Sequence, residues 1–306
     1  MKIKKSVLLI HLRHIFLRHR DSGPVKVFVV FAFVALVAFA LNARASHFYS
    51  DEQHWPRPTA PRGTELPIKI YDNVYSEWDG ALKNEVSQWG KSSVISTRIY
   101  NQGGSITTRC LGHQGYITVC SKDWGDSGVL MYLIKFVVVD GTHFHISSAG
   151  ISFNDYYLTD PEYVSGLTND WTTLYDWRKH WMCYALGNSL GLVLQDTDNF
   201  NENLGSCMDS TYAPTGGNPA TSANNWGFLD NTKPNAHDYE ALSQLYRHAD
   251  KAGTSVSRPT YPTSRDVRDV FGKGTSVEKD AKGRTTLYKR DLGGGFTEFT
   301  HVDYID

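Results

Sequence analysis

Residues 68–71 read Ile-Lys-Ile-Tyr, an alternation of apolar and polar positions that predicts a strand. Residues 76–89 change period. Trp78, Ala81, Leu82, Val86 and Trp89 recur every three or four positions, the stripe of an amphipathic helix. Ser76 offers an N-cap for it and Gly90 a stop. Runs at 93–100 and 116–120 return to strand character. Residues 129–139, Val-Leu-Met-Tyr-Leu-Ile-Lys-Phe-Val-Val-Val, are apolar almost throughout and turn β-branched and aromatic toward their end. Such a run predicts a buried strand, with a helical start left open. Phe144, Ile146, Ile151 and Phe153 mark a further strand within 143–154.

The main helix is predicted over 177–192, with Trp177, Trp181, Tyr184, Ala185 and Leu192 on or near one face and Gly191 as its stop. Residues 195–235 are rich in Asn, Asp, Gly and Pro and predict loops. A closing helix follows over 238–248: Tyr239, Leu242 and Tyr246 share a stripe, Pro234 precedes it, and Asn235 or Asp238 is placed to cap it. After a Ser/Thr/Pro-rich stretch at 252–262, residues 280–296 predict two strands with Gly-rich turns. This order gives an α/β (α+β) fold. Its expected parts are a proline-rich linker or extended arm at 46–66, a domain at 67–250, and a linker with a small C-terminal β appendage at 251–306.

The N-terminus changes the compartment. Residues 1–26 hold seven Lys and Arg against one acid, Asp21, and precede an unbroken apolar run from Val27 to Leu41. Ala43-Arg44-Ala45 then supplies a small-residue cleavage signature, so residues 1–45 read as a secretory signal peptide cleaved near Ala45. The alternative is an N-terminal membrane anchor, for which 15 apolar residues are short of the ~20 a spanning helix needs. Without the leader the chain keeps 23 basic and 31 acidic residues, a net charge of −8. That balance argues against a nucleic-acid partner, which calls for clustered Lys and Arg. No stable membrane association is expected after cleavage. All four cysteines, Cys110, Cys120, Cys183 and Cys207, lie beyond the leader, where an even count predicts disulfides in one of three pairings. The short loop between Cys110 and Cys120, with Gly112 and Gly115 inside it and strand-like runs beside it, favours that pair.

The chemistry turns on residues 183–194, Cys-Tyr-Ala-Leu-Gly-Asn-Ser-Leu-Gly-Leu-Val-Leu. They resemble the metzincin helix H-E-x-x-H-x-x-G-x-x-H. There, His at i and i+4 share a helical face and hold zinc, and the Glu takes a proton from zinc-bound water. Leu186, Gly187, Leu190, Gly191 and Leu192 match the apolar frame, and Ser206-Cys207-Met208-Asp209 resembles the Met-turn. The flanks 177–180, 199–205 and 234–239 are similar to those of secreted bacterial matrixin-like proteins. The resemblance covers about residues 68–250. It implies a metzincin-like twisted sheet with an active-site-type helix, a Met-turn and a closing helix. It also implies a Cys183–Cys207 bridge, because the two places are neighbours in that fold.

The four working positions of the motif are degenerate. Tyr184 and Asn188 stand at the first two His positions, Ala185 at the Glu and Leu194 at the third His. Leu194 has no ligand atom, Ala185 has no proton to move, and a neutral amide is a poor zinc ligand. The expectation is therefore a secreted pseudo-protease with no catalytic residue and no cofactor. Its ligand would be a peptide or protein lying along a sheet edge. The alternatives are an active zinc metalloendopeptidase with a non-standard ligand set, in which case zinc is the cofactor, and a structural secreted protein. A relocated metal would draw on His180, His143, His145 or His237, but none of these shows a recognised ligand spacing with a carboxylate base. Asp196, Asp198, Asn199, Asn201 and Glu202 resemble a calcium loop only loosely and read better as a solvated loop. Serine-nucleophile schemes carry little weight, and the 13% aromatic content reads as packing rather than a binding groove.

Overall fold

A computed structural model of the chain describes residues 47–49, 52–57, 65–101, 110–140, 143–159, 163, 164, 166, 172–216, 227–250 and 274–305. The leader at 1–45 and the stretch at 252–262 lie outside the described residues. The described fold is α+β. Its strands are β1 Leu66–Asn73, β2 Ile95–Asn101, β3 Tyr116–Lys122, β4 Val129–Asp140, β5 His143–Asn154, β6 Thr275–Lys279, β7 Thr285–Gly293 and β8 Phe296–Tyr304. Its helices are α1 Ser76–Trp89, α2 Tyr156–Thr159, α3 Leu174–Ser189 and α4 Ala236–Leu245.

All eight strands join one mixed sheet in the order β2-β1-β3-β5-β4-β8-β7-β6. β1, β2, β3 and β5 run parallel, while β4 is antiparallel to both its neighbours, β5 and β8. The apolar run predicted with an open helical start is strand throughout. A strand flanked on both sides and covered on both faces needs apolar residues at every position. Alternate side chains of β4 enter different cores, as a pleat requires. Leu133 and Val137 join the larger core with α1, α3 and α4. Tyr132, Ile134 and Phe136 join the smaller one on the opposite face. The C-terminal β region is not a separate appendage. β8 pairs with β4 from Val129↔Tyr304 to Val138↔Phe296 and carries β7 and β6 outward into the same sheet.

α1 buries the predicted stripe, and the Trp89 indole donates to the Cys183 carbonyl of α3 at 3.0 Å. Ser76 does not cap it. Tyr75 holds the N-cap position without a side-chain bond, and the Ser76 hydroxyl turns to Glu77. α3 starts three residues earlier than its apolar pattern suggests, because Thr173 and Asp176 form a capping box. α4 uses both candidate caps reciprocally: Asn235 accepts from the Asp238 N–H, and Asp238 accepts from the Asn235 N–H.

The disulfides link Cys110 to Cys120 and Cys183 to Cys207. Loop-closure entropy ranks them, since the sequence separations are 10 and 24. Replacing Cys183 and Cys207 together by Ala should cost about 3.5 kcal/mol, and replacing Cys110 and Cys120 slightly under 3 kcal/mol. Denaturant unfolding of the two double variants checks the order. A larger loss from the short loop would show that native-state packing, not loop closure, dominates.

Candidate functional site

The arm at 47–49 and 52–57 makes the site. It runs back along the end of α3, where the Val193 N–H donates to the His47 carbonyl at 2.7 Å and Phe48 bridges Leu192 antiparallel. The His47 ring is fixed by its Nδ1 on the Val193 carbonyl at 2.8 Å, and its Nε2 lies 3.3 Å from Asp238 of α4. Burial lowers the pKa of this ring, against the backbone hydrogen bond and the Asp238 charge. This anchorage delivers Tyr49 to the buried side chain of Asn188.

Tyr49 then meets Asn188, which the metzincin resemblance sets at the second ligand position. Its hydroxyl donates to Asn188 Oδ1 at 3.0 Å and lies 2.7 Å from Nε2 of His301 in β8. A phenol has one proton to give, so its oxygen accepts from His301 Nε2–H, which sets the tautomer of that ring. Lys135, the single charge inside the β4 run, is fully buried on the same side. Its ammonium sits 3.6 Å from the centre of the Tyr49 ring and donates to the Asn188 carbonyl at 3.4 Å. A cation over a desolvated ring is a favourable contact. Burial and then the Lys135 charge push the His301 pKa well below its usual value, so the ring is neutral.

The other motif positions follow the same pattern. Burial, and after it the charge of Asp303 on β8, push the Tyr184 phenol well above its ordinary value and away from phenolate. Ala185 is fully buried in the larger core, and Leu194 is half-buried. Met208 lies under α3. A Cβ on Gly187 would stand 2.5 Å from its sulfur and 2.6 Å from Trp89. Residues 187–191 do spell G-x-S-x-G, a serine-nucleophile pattern. Ser189, however, ends a helix instead of following a strand. It is fully buried and spends its hydroxyl on the Leu186 carbonyl at 2.7 Å.

The histidines singled out in the sequence fall in three places. His180 is buried with Nδ1 2.7 Å from the Asn231 carbonyl, and burial lowers its pKa to about 4. His237 lies 4.9 Å from the His47 ring. His143 and His145 come together on β5, where His145 is buried and His143 exposed. Two residues not singled out in the sequence stand beside His145, His54 from the arm and Asp250 just after α4, and His248 stands beside His54 and His143. The loop of Asp196 and Asp198 closes on itself, with Asn201 Nδ2 donating to Asp196 at 2.5 Å and the Phe200 N–H to Asp198 at 3.0 Å.

No protein-family model matches this chain, nor does any curated protein or solved structure.

Proposed function

We propose that this protein is an exported, metzincin-like pseudo-protease that binds peptide or protein strands without cutting them. The observation that carries the reading is the Tyr49–Asn188–His301 bridge with the Lys135 ammonium beside it. Side chains from the arm, β4 and β8 occupy the neighbourhood of the second ligand position. An ammonium already supplies a cation there, so a second cation would meet its repulsion. The two disulfides fit an oxidising compartment. Among the described residues no helix is long and apolar enough to cross a membrane.

β8 lies along the edge of β4, so a peptide binding by strand addition needs another edge. Among the described residues the outer edge on this side is β6, exposed at every residue. An extended peptide would gain main-chain hydrogen bonds there. Glu278 and Lys279 on that strand discourage indiscriminate pairing.

The test passes a random peptide library over the immobilised full chain in excess zinc and identifies the eluted peptides by mass spectrometry. Retained, intact peptides are expected. Peptides eluted as cut fragments would support an active endopeptidase instead, and no retention at all would leave a structural role.

A further inference from the structure

His54, His145, His248 and Asp250 converge from three separate stretches of chain. His54 is on the arm, His145 on β5, and the other two follow α4. His54 bridges His145 in parallel, its N–H donating to the Phe144 carbonyl at 3.1 Å. His54 Nε2 and His145 Nδ1 lie 3.5 Å and 3.7 Å from Asp250 Oδ2, and His248 Nε2 lies 3.3 Å from Asp250 Oδ1. All three nitrogens are buried and lack a hydrogen-bond partner among the described residues. Donor atoms of His54, His248 and Asp250 lie within 4.8 Å of one another.

These separations are poor as hydrogen bonds and right for something else. Zinc bound tetrahedrally at about 2.0–2.1 Å places neighbouring ligand atoms roughly 3.3 Å apart. The tautomers agree. His54 Nδ1 lies 2.6 Å from the Glu52 carbonyl and so carries the proton, leaving Nε2 with a lone pair facing the carboxylate. Two acceptors facing each other need a cation between them. Protonating all three rings would set like charges side by side, since the His54 ring stands 4.9 Å from His145 and 4.7 Å from His248. One divalent ion answers His54, His248 and Asp250 at once.

The supports are built as well. The Asp250 carboxylate accepts from the Arg57 N–H at 2.6 Å, while its own N–H donates to the Arg57 carbonyl at 2.8 Å. Glu52, whose carbonyl orients His54, is the one non-glycine residue with positive φ among the described residues, at 50°. Backbone held in that region costs free energy and persists where the surroundings demand it. Outer hydrogen bonds of this kind are what orient metal-binding imidazoles.

We propose that His54, His248 and Asp250 bind one zinc-class divalent ion as a structural site, with His145 standing beside Asp250. It ties the arm that delivers Tyr49 to the chain beyond α4. The site is separate from the motif positions on α3 and does not rest on the fate of those positions.

The test is the zinc content of the purified full chain by elemental mass spectrometry after dialysis against trace zinc. Near one zinc per chain is expected, with a chelator lowering the melting temperature. His248→Ala and Asp250→Asn should each drop the content to near zero, while His237→Ala and Tyr184→Phe leave it unchanged. Should the ligand variants not fold, cobalt titration of the unaltered chain decides. A tetrahedral visible spectrum, bleached by one equivalent of zinc, supports the site. A folded chain that takes up neither metal overturns it. So does zinc that survives the His248 and Asp250 changes but leaves with Tyr184→Phe, which would also overturn the pseudo-protease reading.

Discussion

Gly191→Ala should destabilise the protein by about 4 kcal/mol and lower its melting temperature by roughly 8–16 °C. Two costs combine. Gly191 sits at φ +103°, where an L side chain is strained by about 1–3 kcal/mol. Its Cβ would also stand 2.0 Å from the Gln53 carbonyl oxygen and 2.8 Å from Leu245, and overpacking of that kind costs a further 1–3 kcal/mol or so. The first of those neighbours is backbone of the arm, which cannot rotate away. Gly115→Ala separates the terms, because φ is +76° there and nothing lies within 4 Å of the added carbon. That variant should lose only about 1 kcal/mol. Equal losses in the two variants would show that the arm does not press on the end of α3 in solution. Because the arm also brings Tyr49 and His54 to their partners, a smaller chelator effect on melting should accompany the Gly191→Ala loss.

That glycine was visible in the sequence as a helix stop, but its reason was not. The period of apolar residues locates α1, α3, α4 and the five strands β1 to β5, because each buries a local stripe or a continuous face. The capping boxes were half visible: Asn235 and Asp238 were both candidates, whereas Thr173 stood ahead of the first tryptophan and was passed over. What pairs with what was not legible. That β8 lies beside β4 depends on a contact between residues more than 150 positions apart, as in Val138↔Phe296. No local period records such a contact. The Tyr49–Asn188–His301 bridge and the histidine cluster share this origin. Tyr49, His301, His54 and Asp250 gain their meaning only when the arm, β8 and the stretch after α4 come together. Two signals were present all the same. Lys135 is a lone charge inside an eleven-residue apolar run, and buried charge in such a place calls for a partner. His248 and Asp250 stand two apart directly after a helix, a spacing that aims both side chains the same way in extended chain.

The second large effect is alkaline. Glu85 lies on the buried stripe of α1 and is fully inaccessible. Oε1 accepts from Asn84 Nδ2 at 2.6 Å, while Oε2 has no hydrogen-bond partner among the described residues. Burial raises its carboxyl from the ordinary 4.5 to about 8, with the Asn84 hydrogen bond and the Lys179 charge pulling only partly back. The folded protein therefore holds a proton that the unfolded chain releases. The stability linked to that proton is complete below about pH 4.5 and is lost as pH rises through about 8. A shift of this size corresponds to at most about 5 kcal/mol. Glu85→Gln keeps the shape and removes the ionisation. The variant should match the parent within about 1 kcal/mol at pH 5 and exceed it by about 3–5 kcal/mol at pH 9. The acid limb should persist in both. His180 is buried neutral with its pKa lowered to about 4, so its contribution is lost as pH falls from 6.5 through that value. Denaturant unfolding from pH 4 to 9 measures both limbs. If the two alkaline limbs run parallel, Glu85 ionises freely in the folded protein, and α1 does not bury it against α3 as tightly as the packing of Trp89 on Cys183 implies.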